Sequence, residues 1–313
     1  MEQCRCRFFF FWGQTVANKL KYVSFSPTST LGITVPNVNN SYFGSCYTKF
    51  NKNDPWSTAA NGEPDKFDVQ SVATHELGHW LALSDLYGSG DTEKTMYGWT
   101  SRNEIKKRTL TSDDIAGIKH IYGRKSSLVS SDNSIYGTKL PNDANKPINT
   151  SEPLDVHMGA TIIKCTHEDL KNNSDIIVTG RVKEILPSKW DTIDGEKPNK
   201  ENTKPDQDYI IYTDIIIHVD KYLKNSLSSK EVIVRTYGGN VGNDRMTLDI
   251  EAGFKPGEKV LLYLEKDISP MATVGSEHFF VYGSMQGKFT LTDDGKAIRP
   301  DETVSQEELL STI

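Results

Sequence analysis

His75, Glu76 and His79 stand in the order His-Glu-x-x-His within HELGHWLALSD, residues 75–85. On an α-helix of 3.6 residues per turn the two histidines project from one face, one turn apart, so that two imidazoles can share one metal ion. Zinc is the ion that suits these donors, and Glu76, off to the side, is placed to hold the water completing its coordination. The plain alternative for Glu76 is a surface glutamate; its place between the two histidines favours a general base. A catalytic zinc takes three protein ligands. Asp85 lies six residues beyond His79. A continuing helix would carry it about 9 Å further along the axis and roughly 240° round it, out of reach. The chain must therefore break soon after Leu81 and turn back if the Asp85 carboxylate is to be the third ligand; otherwise Asp85 caps a turn.

The elements that position these residues are legible around them. Asp68 is a good N-cap for the helix, with Val69, Val72, Ala73, Leu77, Trp80 and Leu81 as its apolar face and the histidines on its polar face. A Gly-rich stretch, 87–94, leads to Met96. A second helix begins at TSDD, 111–114, where Asp113 and Asp114 cap it and brace neighbouring loops. Ile115, Ile118 and Ile121 predict its buried stripe, His120 a partly buried structural histidine, and Gly123 its stop. Upstream, residues 12–25 read as the end of a helix running into a strand. LGITVP (31–36) and SYFGSCYTKF (41–50) read as strands, and 53–66 as loop.

From Arg124 to about Pro153 the composition turns to Ser, Asn, Asp, Lys and Pro with little periodicity, which predicts a linker. Strand patterns follow at 175–186, 209–223, 230–237, 257–267, 278–283 and 287–292. The expected class is α+β: a first domain over 1–123, a linker over 124–154, and a mainly antiparallel β domain over 155–313, a small barrel or sandwich. His157, His167 and Cys165 match no metal-site spacing, and the Tyr237-Gly238-Gly239-Asn240 stretch reads as a turn.

The 313 residues are 36% hydrophobic and 25% charged, with a net charge of −6. The acidic balance argues against a protein built to grip nucleic-acid phosphates. No apolar run reaches the length of a membrane span, and the Phe8–Trp12 cluster is too short for a signal peptide. Four cysteines (Cys4, Cys6, Cys46 and Cys165) make no disulfide framework.

With these residues in place, the segment resembles the metzincin zinc peptidases, whose elongated motif is HExxHxxGxxH or, in some branches, HExxHxxGxxD. His75 and His79 match the two histidine ligands, Glu76 the catalytic glutamate, and Asp85 the third ligand of the Asp-type branch. Met96 and Tyr97 match the Met-turn of the matrixins. FDVQSVATHELGH before the site and LTSDDIAGIKHIYG after it are also similar to the matrixin pattern. The resemblance covers about 46–123 closely and 12–45 faintly. It departs at Ala82, where the family has Gly, and at Gly98, where matrixins have Pro. The room before the site also falls short of the strand and full helix that begin a matrixin catalytic domain, which implies a shortened N-terminus.

The resemblance implies a zinc-dependent endopeptidase acting on protein or peptide substrates through a metal-activated water, with Glu76 as general base. It also implies a secreted or cell-surface setting, although no signal peptide is visible. One catalytic zinc is expected; structural calcium is common in the family, with no ligands assignable here. Substrate is expected to lie extended along an edge strand, for which residues 41–50 are the candidate. The alternative is a catalytically degenerate zinc-binding protein whose β domain mediates binding or adhesion.

Overall fold

The computed structural model describes residues 19–24, 26–39, 42–122, 153–192, 194–198 and 209–313. The N-terminal cluster, Cys4, Cys6, Gly123 and the linker expected at 124–154, apart from its last two residues, lie outside them.

Before the linker the elements are β1 (Lys19–Val23), β2 (Thr30–Asn39), β3 (Tyr42–Asn51), β4 (Trp56–Ser57), β5 (Phe67–Asp68), α1 (Val69–Trp80), β6 (Trp99–Thr100) and α2 (Ser112–Tyr122). After it come β7 (Asp155–Ile163), α3 (His167–Asn173), β8 (Ile176–Ile185), β9 (Lys189–Trp190), β10 (Ile211–Lys224), β11 (Glu231–Tyr237), β12 (Gly239–Val241) and β13 (Asp244–Leu248). The chain ends through β14 (Lys259–Lys266), β15 (Phe279–Val281), β16 (Lys288–Leu291), β17 (Lys296–Arg299), β18 (Glu302–Ser305) and α4 (Gln306–Ser311). No helix among the described residues is long and apolar enough to cross a membrane.

The β-branched runs form the larger sheet, ordered β15-β11-β10-β8-β14-β16-β17-β18. An added β14–β15 pairing closes β15, β11, β10, β8 and β14 into a five-stranded barrel. Successive side chains on a strand alternate faces, and the burial follows. Val260, Leu262 and Leu264 of β14 meet Val178, Ile217 and Val234 in one apolar cluster, while Leu261 and Tyr263 face a second with Leu170 of α3 and Leu309 of α4. The expected barrel is thus present, with all but the β11–β15 pairing antiparallel.

The other sheet holds the site. Its order is β1-β3-β2-β7-β13-β12, with β6 also on β7. Of the candidate edge at 41–50, residues 47–50 are paired on both sides, by β1 and β2, and so are no edge, while residues 42–46 pair with β2 alone among the described residues. The strand beyond β2 is β7, from the far side of the expected linker, antiparallel with Thr30 opposite Ile162 and Thr34 opposite Gly159. β13 pairs β7 in parallel. One apolar cluster likewise joins Ile33, Tyr97 and Trp99 to Met158, Ile211 and Phe280, so sheet and core both cross the stretch expected to separate two domains.

The helix faces differ from the pattern reading. Leu77 and Leu81 of α1 and its cap are 44% and 37% exposed, while His75, Glu76 and His79 are buried, because β7 covers the polar face. Ile115 of α2 is exposed, Ile118 and Ile121 are only half-buried, and His120 is exposed rather than partly buried.

Candidate metal centre

Asp68 caps α1 as its sequence suggests, its carboxylate accepting from Ser71 N at 2.6 Å. Burial opposes charge on Asp68, but hydrogen bonds from Arg108 and Ser71 hold its pKa below the ordinary value. At the other end the helix stops on Ala82, which sits at φ 60°. Ala82 N–H donates to His79 O and Leu83 N–H reaches back to Gly78 O, the paired bonds of a Schellman motif. The left-handed residue that the family fills with Gly is retained here on an Ala. Ala82→Gly is therefore expected to stabilise the chain by about 1 kcal/mol, since left-handed geometry costs an L-residue roughly that much. Chemical denaturation of metal-free protein checks it; a destabilised variant would show that the Ala82 methyl packs more than it strains.

This reversal brings Asp85 back. Its Oδ1 lies 2.9 Å from His75 Nε2 and 3.5 Å from His79 Nε2, and the two Nε2 atoms are 3.0 Å apart. The remaining ring nitrogens are committed: His75 Nδ1 donates to Thr95 O and His79 Nδ1 to Leu83 O, each at 2.8 Å. A backbone carbonyl can only accept, so in the neutral rings both Nε2 lone pairs point into the space shared with Asp85. Buried Asp85 Oδ1 faces no donor except these two imidazoles, which is costly unless a proton on one of them or a metal cation takes it up. Zinc with bonds of about 2.0–2.2 Å to N and O donors sets its ligands roughly 3.3 Å apart in a tetrahedron. The observed spacings fit that ion. Among the described residues, this is the one group of three or more His, Cys, Asp or Glu side chains that converges this way.

Supporting residues fix the floor of the site. Met96 is buried, its Sδ so close under Gly78 that a Cβ there would fall 2.2 Å away. Asp114 of α2 accepts from Thr95 N and Met96 N, as well as from Thr111. Asp113 pairs with Lys94 at 2.6 Å, so both acidic residues do the bracing expected of them. Gly98 N–H donates to Leu86 O, a bond the family's Pro could not make. Lys107, wholly buried and unmarked by any motif, donates to Tyr97 O and Trp99 O. Burial draws its pKa down to about 8 against the pull of Glu104 and Asp85.

Glu76 is 1% exposed. Its Oε1 accepts from Thr161 N at 3.0 Å and Thr161 Oγ1 at 2.8 Å, and its Oε2 from Thr34 Oγ1 at 2.6 Å. Next along β7, Ala160 N–H donates to Asp85 Oδ2, and Gly159 lies against the His79 imidazole, where a Cβ would come within 2.3–2.4 Å of the ring. Thr34, Thr161 and Gly159 were not singled out by sequence pattern. A glycine inside an apolar strand, as in residues 155–163, is the signal that could have found the last, since it marks close backbone approach. His157 and His167 make ion pairs with Asp249 and Glu302 and join no metal cluster.

The family model for matrixins matches residues 30–123. Matrix metalloproteinase-26 of Homo sapiens is 37% identical over 78 residues, 25% of this chain and 27% of that protein. Matrilysin of Rattus norvegicus is 37% identical over 79 residues, again 25% of this chain and 27% of its own length. Metalloendoproteinase 1-MMP of Arabidopsis thaliana is 41% identical over 73 residues, 22% of this chain and 19% of that protein. The match thus spans about a quarter or less of each of these relatives.

Proposed function

We propose that this chain, matrixin-like over residues 30–123, is a zinc-dependent endopeptidase: His75, His79 and Asp85 hold the metal and Glu76 is the general base. The observation that carries this reading is the convergence of two imidazole Nε2 atoms and an otherwise unpartnered buried carboxylate oxygen at zinc-ligand spacing. Bound there, zinc supplies a Lewis acid that polarises a water and the scissile carbonyl. Glu76 then takes a proton from the attacking water and returns it to the leaving amine. Met96 and Tyr97 form the Met-turn under the ligands, with Lys107 and Asp114 holding its backbone. Residues 155–313 form an accessory β unit in this reading.

Purified chain is expected to contain about one zinc, and wherever casein is hydrolysed a chelator is expected to abolish the hydrolysis, with zinc restoring it. The measurement is made on wild type and on Gly159→Val, a variant that crowds β7 away from His79. Full zinc occupancy with no turnover in either protein would overturn the peptidase reading and leave a zinc-binding protein whose β unit does the work.

A further inference from the structure

In the fold, the free side of β2 is where an added strand pairs across the ligands, and a segment of the chain itself occupies it. Thr30, Gly32, Ile33 and Thr34 of β2 run antiparallel to Ile162, Thr161, Ala160 and Gly159 of β7. On the opposite side β6, immediately after the Met-turn, pairs β7 in parallel, with Ile162 N–H donating to Gly98 O and Lys164 N–H to Thr100 O. The segment is gripped along both edges, as an extended peptide is when it binds by strand addition.

Three consecutive residues of this strand touch the three chemical parts of the site. Gly159 packs on His79, Ala160 N–H donates to Asp85, and Thr161 donates twice to Glu76. Only a residue without a side chain passes His79 at that distance. Met158, Ala160, Thr161 and Ile162 are wholly buried, and the general base has both oxygens engaged by hydroxyl and amide donors.

We propose that residues 157–163 are an internal occupant of the peptide groove: the chain holds its own site shut with a substrate-like strand, Gly-Ala crossing the metal ligands. This rests on the zinc-peptidase reading of the same residues. The groove is then one that takes extended peptide with small residues at the metal. Access for another peptide requires β7 to leave, so apparent affinity falls by the fraction of molecules in which it has left.

Two variants act on the closed state alone. Thr161→Val keeps the side-chain shape and removes one donor from the buried Glu76 carboxylate, which is expected to raise the open fraction about tenfold. Gly159→Val places carbon where His79 stands and is expected to open the groove further. The probe is a fluorescein-labelled peptide of the sequence of Asp155–Gly159 ending in a hydroxamate, a bidentate zinc ligand, titrated into the zinc-loaded full chain. Tighter binding to Thr161→Val than to wild type, and tighter again to Gly159→Val, supports the proposal. Equal binding to wild type and Thr161→Val overturns it.

Hydrogen exchange needs neither metal nor turnover. The Thr161, Ile162 and Ile163 amides are expected to be protected in wild type and to exchange at least about tenfold faster in Thr161→Val; rapid exchange in wild type overturns the proposal. If the variants bind the hydroxamate more tightly yet neither hydrolyses casein, the strand is the occupant and the peptidase reading is what fails.

Discussion

Asp85→Ala is expected to leave the purified chain nearly free of zinc, with affinity reduced by well over the roughly 10–100-fold that loss of an outer hydrogen-bond partner costs a metal site. The variant removes the one anionic donor and leaves two imidazoles, one short of the three protein ligands of a catalytic zinc site. It also removes a proton trap. Burial alone would drive the proton from His79, but the Asp85 carboxylate outweighs it, with Glu76 adding, and lifts the His79 pKa to about 9. Asp85 is held below the carboxylate range by the two imidazoles, against its own burial.

The sign follows for metal-free wild type. A raised histidine pKa contributes stability that is complete below the unfolded value of 6.5 and is lost as pH rises through about 9. Zinc needs the neutral imidazole, so its affinity rises over the same window. The melting-temperature gap between zinc-loaded and metal-free protein is therefore expected to widen from pH 6.5 to 9 in wild type. In Asp85→Ala both the gap and its pH dependence should vanish. Near-stoichiometric zinc in Asp85→Ala, measured by elemental analysis, would show that another side chain completes the site.

The candidate ligand cluster was readable because helix periodicity fixes where i and i+4 point, and because only a chain reversal lets Asp85 return. Ala82 at positive φ is that reversal, made without the Gly that normally signals it. The barrel strands were readable for a different reason. Runs such as 211–224 and 259–266 are rich in β-branched, aromatic and aliphatic residues over eight residues or more.

What covers the site was not readable. From Met158 to Ile162 β7 is buried on both faces, and a strand so placed loses the polar–apolar alternation that announces one. Its partners Thr30–Thr34 stand some 130 residues away in sequence, a pairing no local pattern encodes. The same blind spot explains α1. Its apolar positions predicted Leu77 and Leu81 inside, but the face carrying Glu76 and the histidines is the buried one, its polar groups met by Thr34, Thr161 and Asp85. A polar face reads as solvated until the strand that satisfies it is known.

Glu76→Gln is expected to keep zinc and the fold while lowering peptide hydrolysis by about 10²–10⁴-fold, the range a positioned general base supplies. The comparison belongs in the Gly159→Val background, where the strand is displaced and turnover can be read. Gln has nearly the shape of Glu; while β7 is in place its carbonyl oxygen can go on accepting from Thr161 N–H and Oγ1, and once β7 has left water takes their place. Its amide nitrogen can donate to Thr34 Oγ1, whose own proton can turn to the backbone oxygen of residue 76, 3.3 Å away, while Thr34 Oγ1 accepts from Thr48 Oγ1. No buried donor is orphaned, so zinc content and melting temperature should stay close to those of the Glu76 protein. Only the carboxylate that accepts the proton is gone. Casein hydrolysis with zinc content measured on the same samples tests this: undiminished turnover at full zinc occupancy would assign the proton transfer to another group, while loss of zinc together with activity would make Glu76 a support of the ligands rather than the base.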